Sequence, residues 1–434
     1  MSSSEKGPTV HTKHLTMFLG KNSIINKDGK EWKIHRKNMT RTFSAETVDN
    51  LDGPVKKETS KIIGALFEKL DSDANGEYRM NGEIFSAAIV SRMVGTVFFG
   101  FELGGSMLER DELSVKYTNL LEEFDRRMKS PFNPAARLYS LPTASNIKYK
   151  NDHRHARQMF LDTLKKHSKR NDSGTAESWK GRSDFLMAIL DFVVEEQGYS
   201  IDDDEIQNMV NAAYLFSIES LSTTVQYMIY SIQQHPEFEQ KCLNEINALL
   251  DRTGTLDVDQ LPYCNAFITE VMRLYPVIPF SWRQLESPLK LGNTTLPTGM
   301  KVYVPFFLLH RDERNFPRPT ELLPERWVQH SSDGGWEDRD DSKGNKELAD
   351  TVGVAQDTQA DPIPAGLREN LFTFGKGGRG CPGMKIAKKE ACILFTELIR
   401  HFKFDVEPGY VLKPSVKGVG QKPLGGIPFI VRRR

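Results

Sequence analysis

Apolar residues recur at three- and four-residue intervals along most of the chain up to Pro276, the period of an amphipathic helix rather than a strand. The pattern predicts helices over Trp32–Phe43, Pro54–Leu70, Gly82–Phe99, Arg110–Met128, Asp152–Lys169 and Asp184–Glu196. A longer helix is expected from Asp202, an N-cap in an acidic first turn, to about Gln234, where His235-Pro236 stops it. Two more follow, over Glu237–Leu250 and Asp259–Leu274, the second ended by Pro276. The most apolar stretch, Ala87–Phe101, is interrupted by Arg92 and reads as a core helix. No run reaches the ~18 apolar residues that a bilayer span needs.

After Pro276 the pattern changes. The stretch LKLGNTTLPTGMKVYVPFFLLH, Leu289–His310, mixes β-formers with Gly, Pro and Asn turns and predicts short strands. Residues 331–361 hold nine acidic and three basic residues, which predicts an acidic surface insertion, a loop or disordered excursion. A last helix is expected over Gly383–His401. Helix-rich halves around a small β region fit one α+β domain over residues 1–434, mostly α with small β-sheets.

Charge narrows the function classes. Lys+Arg and Asp+Glu are both 58, so no global field points to nucleic acid or a membrane surface. Arg432, Arg433 and Arg434 form a basic end that reads as a solvated tail. The start, MSSSEKGPTV, has no apolar core of a signal peptide. The four cysteines, Cys242, Cys264, Cys381 and Cys392, make neither a disulfide framework nor a CxxC pair, and no His cluster supplies zinc spacing. Reduced thiols in a cytosol-facing compartment are the expectation.

One of those cysteines stands apart. FTFGKGGRGCPG, residues 372–383, has five glycines in twelve residues around Cys381. Glycine is favoured where backbone passes close to something or takes unusual dihedrals. Backbone N–H groups of the turn and the start of the following helix would stabilise a thiolate there. Arg379 offers a fixed cation for a carboxylate. A single thiolate beside an arginine does not suit zinc or an iron–sulfur cluster, and does suit a haem with one protein ligand and cations for its propionates. A buried, inert cysteine near a flexible turn is the other reading that the loop alone leaves open.

Phe374-Gly-Lys-Gly-Gly-Arg379-Gly-Cys381-Pro-Gly383 matches F-G-x-G-x-R-x-C-x-G, the haem-binding signature of the cytochromes P-450, at every fixed position. The chain resembles that family in three further places. Glu270 and Arg273 in ITEVMRLYP match its ExxR motif, and Arg326 in PERW matches its PERF segment; the resemblance implies a buried structural triad bracing the cysteine loop. Trp32 and Arg36 match WxxxR, whose side chains reach a haem propionate. Arg283, ten residues after Arg273, sits where the family commonly has another propionate ligand. His310 and Arg311 match a segment of structural role, while His35 reads as a surface residue. The resemblance implies haem b (heme, iron protoporphyrin IX) held by Cys381 as axial thiolate, with Trp32, Arg36, Arg283, Phe374, Arg379 and Gly383 around it.

The resemblance also implies a reaction. A haem-thiolate monooxygenase inserts one oxygen atom of O2 into an apolar small molecule, lipid or secondary metabolite, by hydroxylation or epoxidation. NADPH would supply electrons through a separate NADPH-cytochrome P-450 reductase meeting Lys33, Lys37 and Lys376. The family is expected on the cytosolic face of the endoplasmic reticulum membrane, here as a monomer without nucleic acid. LPYCNAFITEVMRLYP looks fungal. Residues 107–138 and the turn Val277–Ser281 are expected to line the pocket.

Two departures qualify this picture. The oxygen-activation segment A/G-G-x-D/E-T-T falls on FSIES, with Phe216-Ser217 for the small pair, Glu219 for the acid and Ser220 for the threonine. Glu219 and Ser220 are the expected proton-handling pair; hydroxyls bonded back to the helix's own carbonyls are the competing reading. An isomerase or dehydratase that needs no O2 activation is the alternative function. The second departure is the position of Trp32 near the start, where the family has roughly a hundred preceding residues, by domain size. The expectation is an N-terminally incomplete member lacking the anchor, first strands and first helices, whose sheet around Lys290–Leu309 lacks partners; a non-catalytic remnant is then a third reading.

Overall fold

The computed structural model describes residues 19–20, 23–42, 48, 51–99, 107–109, 112–129, 141–169, 204–330, 335–338, 366–417 and 420–434. The long helices among them are α1 (Gly29–Thr42), α2 (Asp52–Ser72), α3 (Gly82–Phe99), α4 (Glu112–Lys129), α5 (Ala144–Lys169), α6 (Asp204–Gln234), α7 (Pro236–Thr253), α8 (Pro262–Leu274) and α9 (Met384–His401). The predicted helix Asp184–Glu196 and the predicted cap Asp202 lie outside the described residues.

Helix α6 runs through the centre. Its apolar stripe, Ile218, Leu221, Val225, Met228 and Ile232, is at most 7% exposed, as the spacing predicts. It packs against α3 on one side and α8 and α9 on the other. Phe267 of α8 stacks on Phe395 of α9 at 5.1 Å. Arg92, the polar break in α3, is buried and donates to Glu58 of α2 at 2.7 Å. A buried cation needs such a partner, so the arginine docks two core helices instead of ending one.

Two helix boundaries differ from the period-based reading, each for a local reason. Helix α5 starts eight residues before Asp152, because Thr143 caps it: the Thr143 hydroxyl accepts from Asn146 N at 3.3 Å. Ile147 and Tyr149 alternate with polar residues there, a spacing of two that a helical period does not pick up. The expected helix Asp259–Leu274 is split at Pro262, which cannot donate into a continuing helix and instead starts α8.

The strands are β1 (Glu77–Asn81), β2 (Ser281–Gln284), β3 (Leu289–Leu291), β4 (Thr294–Leu296), β5 (Lys301–Val304), β6 (Val328–His330), β7 (Trp336–Asp338), β8 (Phe402–Val406), β9 (Pro414–Lys417), β10 (Gly420–Pro423) and β11 (Pro428–Arg433). All pairings are antiparallel: β1-β11-β8, β2-β5, β3-β4, β6-β7 and β9-β10. Three expectations are corrected here. Phe306–Leu309 is a helical turn, not strand. Trp336–Asp338, inside the expected acidic loop, pairs with β6; residues 331–334 and 339–361 of that segment lie outside the described residues. The C-terminal arginines are solvated but are not a free tail. Arg432 and Arg433 lie in the central strand of the three-stranded sheet, where Arg432 bridges Glu77 and Asp405 and Arg433 bridges Asp71. Arg434 reaches Glu239. Glu77 lies directly opposite Arg432 and Asp405 lies diagonal to it on the other neighbouring strand, carboxylates that a run of one sign in sequence conceals.

Candidate functional site

Glu270 is fully buried at the heart of α8, and its carboxylate accepts five hydrogen bonds. Arg273 Nε and Nη2 donate at 2.8 Å each, Arg326 Nε at 2.9 Å, Trp327 Nε1 at 2.9 Å and Leu323 N at 3.0 Å. The i,i+3 spacing puts the first pair on one helix face. Arg273 uses its remaining N–H groups on the carbonyls of His310 and Pro319, both at 2.6 Å, and Glu321 at 2.9 Å. All five guanidinium donors are thereby engaged. Burial pushes the Glu270 carboxyl up, but the charges and hydrogen bonds of Arg273 and Arg326 outweigh it and hold it below its ordinary value. Arg326 also takes the carbonyl of Arg318, the one non-glycine residue with positive φ among those described.

His310 ties this cluster to the cysteine loop. Its Nε2 accepts from Phe372 N at 2.8 Å, which leaves Nδ1 to donate to the Arg273 carbonyl at 3.0 Å. Burial lowers its pKa to about 4, so the ring is neutral and keeps that tautomer. Within the loop, Cys381 N donates to the Phe374 carbonyl at 2.7 Å and Gly375 N to Phe372 at 2.8 Å. Gly375 and Gly377 have φ of +66° and +68°, which L side chains rarely adopt. The loop thus turns back on itself and presents Cys381 two residues ahead of Gly383, the cap of α9.

Cys381 is exposed at the loop surface, unlike the other three cysteines, which are buried. Protein crowds it closely enough that burial still pushes its thiol up, against the Gly383 N–H and the charge of Arg36, which favour the thiolate. Trp32 of α1 packs on the same loop: a side chain at Gly378 would meet its ring at 3.4 Å, and the Arg379 guanidinium lies 4.0 Å from its centre. Arg379 donates to the Asp28 carboxylate at 2.5 Å and the Lys27 carbonyl at 3.0 Å. Arg283 donates to Ser281 Oγ at 2.9 Å and the Trp282 carbonyl at 2.7 Å, and feels the charge of Asp28. Burial lowers the pKa of Arg36 and Arg283, the direction of charges held partly out of water. Arg36 acts on the Cys381 thiol, and Arg283 and Arg379 on the Asp28 carboxylate, so three guanidinium groups gather at this face of the loop. That donor set fits a haem, which brings two propionates and an iron that takes one thiolate. Asp28 carries no sequence signature and was not anticipated. His35, expected at the surface, is 8% exposed and buried.

The FSIES segment faces a narrow cleft walled by Phe216, Glu219 and Ser220 of α6 and by Leu121, Phe124, Val277 and Ile278. The last four fall within the two regions expected to line a pocket. Gln421 and Lys422 of β10 line the cleft as well. Ser220 Oγ donates back to the Phe216 carbonyl at 2.6 Å and Thr224 Oγ1 to the Ser220 carbonyl at 2.8 Å, the helix-internal bonding that competed with a relay. Glu219 is ion-paired with Lys422 at 3.3 Å, and Lys422 also donates to Glu83 at 2.9 Å. Lys422 is 8% exposed; burial opposes its charge, but the two carboxylates outweigh burial and raise its pKa. No helix among the described residues is long and apolar enough to cross a membrane.

Comparison with known proteins places this arrangement. The family model described as Cytochrome P450 matches residues 1–427. Cytochrome P450 72A552 of Barbarea vulgaris is 22% identical over 395 residues, covering 90% of this chain and 69% of that protein. Cytochrome P450 4d8 of Drosophila melanogaster is 23% identical over 416 residues, 90% of this chain and 80% of that protein. Among solved structures, retinoic acid-bound cyanobacterial CYP120A1 superposes with a TM-score of 0.70 at 18% identity, covering all of this chain and 85% of that one, a likeness of fold. With the family model spanning nearly the whole sequence, the chain belongs to the cytochrome P450 family and is an oxidoreductase of its monooxygenase class.

Proposed function

We propose that this chain is a haem-thiolate monooxygenase with Cys381 as its axial ligand, hydroxylating or epoxidising an apolar small molecule. The balanced reaction is a C–H bond plus O2, NADPH and a proton going to C–OH, water and NADP⁺. Electrons arrive through a separate reductase docking near Lys33, Lys37 and Lys376, at the cytosolic face of the endoplasmic reticulum. A single domain over residues 1–434, a monomeric state and a fungal source belong to the same reading.

The observation that carries it is the cysteine loop: Cys381 emerges beside Arg36, on a glycine turn against which Trp32 packs. When bound, haem with a thiolate ligand supplies the dioxygen chemistry. The chain's own residues do the rest. Arg36, Arg283, Arg379 and Trp32 would hold the propionates, with Arg379 exchanging Asp28 for one of them. Phe374 and Gly383 shape the turn that bears the sulfur. Glu270, Arg273 and Arg326 fix the loop's anchorage and take no part in bond making. The apolar wall of the cleft binds and orients substrate and excludes water. Ser220 and Glu219, both at the cleft, are the residues placed to hold and pass protons, which requires the Ser220 hydroxyl to turn from the Phe216 carbonyl and Glu219 to part from Lys422.

The Glu219–Lys422 pair and the bulk of Phe216 favour one second reading, an isomerase or dehydratase without O2 activation. Turnover of any accepted substrate under isotopically heavy O2 separates the two. One heavy oxygen atom per product molecule is expected; unlabelled product in good yield would shift the assignment to the second reading.

A further inference from the structure

We infer that Glu83 is a positioning residue for the proposed proton handling: it keeps hold of Lys422, so that Glu219 is free to part from that lysine. The inference rests on the proposal that Glu219 handles protons and adds what releases it to do so.

Lys422 stands between two carboxylates. Its Nζ donates to Glu83 Oε1 at 2.9 Å and to Glu219 Oε2 at 3.3 Å. The lysine is 8% exposed. An ammonium so buried is costly without a counter-charge. With Glu219 as its sole carboxylate, the pair would be locked, because departure of Glu219 would strand the cation. With Glu83 in place, departure leaves a neutral Glu83–Lys422 pair. The assembled cluster carries one positive and two negative formal charges, and repulsion between the carboxylates favours the exit of one of them.

The two carboxylates are not equivalent, and the difference decides which one leaves. Glu83 is the stationary partner. It lies in the first turn of α3, where its N–H donates to Asn81 Oδ1 at 2.9 Å. Asn81 is tied in turn to the Gly425 carbonyl through Nδ2 at 2.9 Å. A side chain at Gly426 would come within 2.9 Å of the Glu83 Cβ, so the backbone there packs directly on its stem. Glu219 is the looser partner. Its bond is longer, its side chain is 30% exposed against 19% for Glu83, and it lines the cleft beside Ser220. Lys422 is fixed at its backbone: it pairs with Ser415 across β9 and β10, and the preceding Gln421 N donates to the Val277 carbonyl at 2.6 Å. A fixed lysine with one fixed and one looser carboxylate is a clamp with a single moving jaw.

The first test needs no substrate. Urea unfolding midpoints of the full chain loaded with haem are measured for Glu83→Gln, Glu219→Gln and the double variant. With Glu83 present, Glu219→Gln is expected to move the midpoint little, because Lys422 keeps a partner. In the Glu83→Gln background the same substitution strands the lysine and should move the midpoint at least about threefold further. Adding Lys422→Met should make the two substitutions additive. The second test reads NADPH oxidation with a cytochrome P450 reductase and phenylcyclohexane as the probe. Glu83→Gln should lower kcat about fivefold with KM unchanged, and should lower it no further in a Glu219→Gln background. A residue that only supported the fold would lower it equally in both. Additive midpoints, or an equal fall of kcat in both backgrounds, would overturn the inference. Turnover unchanged by Glu219→Gln alone would instead remove the proton-handling proposal, and the midpoints would still decide whether Glu83 holds Lys422.

Discussion

Glu270→Ala is expected to destabilise the protein by about 3–5 kcal/mol, the cost of leaving buried charges without their partner. Glu270 is 0% exposed and accepts from Arg273, Arg326, Trp327 and Leu323 at once. Its removal strands two buried guanidinium groups and the indole N–H together. Domains hold only about 5–15 kcal/mol in total, so the loss is a large share of all there is. Arg273→Lys should be nearly as damaging, because an ammonium has three donors where the buried guanidinium uses five. The change is predicted to spread through His310 to the loop that bears Cys381, so haem content should fall with stability. Urea unfolding followed by circular dichroism checks it. A midpoint shift worth less than about 1 kcal/mol would show that the cluster is not what holds the two halves of the site together.

The second large effect concerns Glu390 of α9. It is 3% exposed, and its Oε1 has no partner among the described residues. Burial raises its pKa from 4.5 to about 8. Below pH 4.5 the carboxyl is protonated whether the chain is folded or not. Between these values the unfolded chain releases a proton that the folded one keeps, so stability falls as pH rises through the window and levels off above it. A displacement of this size is worth up to about 5 kcal/mol. Glu390→Gln is expected to remove that slope and to stabilise the protein by several kcal/mol at pH 8, with little difference at pH 4. Unfolding free energies of the two proteins measured from pH 4 to 9 check it; parallel curves would contradict it. Glu270 acts in the opposite sense, since its depressed pKa makes its contribution disappear as pH falls. Stability is therefore expected to peak in mildly acidic solution.

How far these features were legible in the sequence depends on the range of the interaction behind them. Helices such as Gly82–Phe99 are written in a local period, and the Glu270–Arg273 pair, Trp32 and Arg36, and the glycines around Cys381 are short strings. Their identities and spacing are visible without any fold. Thr143 as a cap and Pro262 as a helix start are equally local, and a reading weighted toward apolar period passed over them. The contacts of Asp28 with Arg379 and Glu219 with Lys422 span 351 and 203 positions. Nothing near either residue marks the partner. The same holds for the sheet that joins Glu77–Asn81 to the C-terminal arginines, which read as a free tail because their partner strand and most of their carboxylates lie far away in sequence. The polar cleft wall at Gln421 and Lys422 exists only once β10 is folded across α6. The substrate-facing chemistry was therefore the least legible part of the site, and the metal-facing chemistry the most.

The most direct test of the central claim is the absorption spectrum of the haem-loaded protein, reduced and exposed to carbon monoxide, beside that of Cys381→Ala. A strongly red-shifted Soret band that is lost in the variant is expected, because only a thiolate ligand gives it. A band at the unshifted position in the unaltered protein, or a red-shifted band that survives the loss of Cys381, would contradict the assignment of this cysteine as the iron ligand.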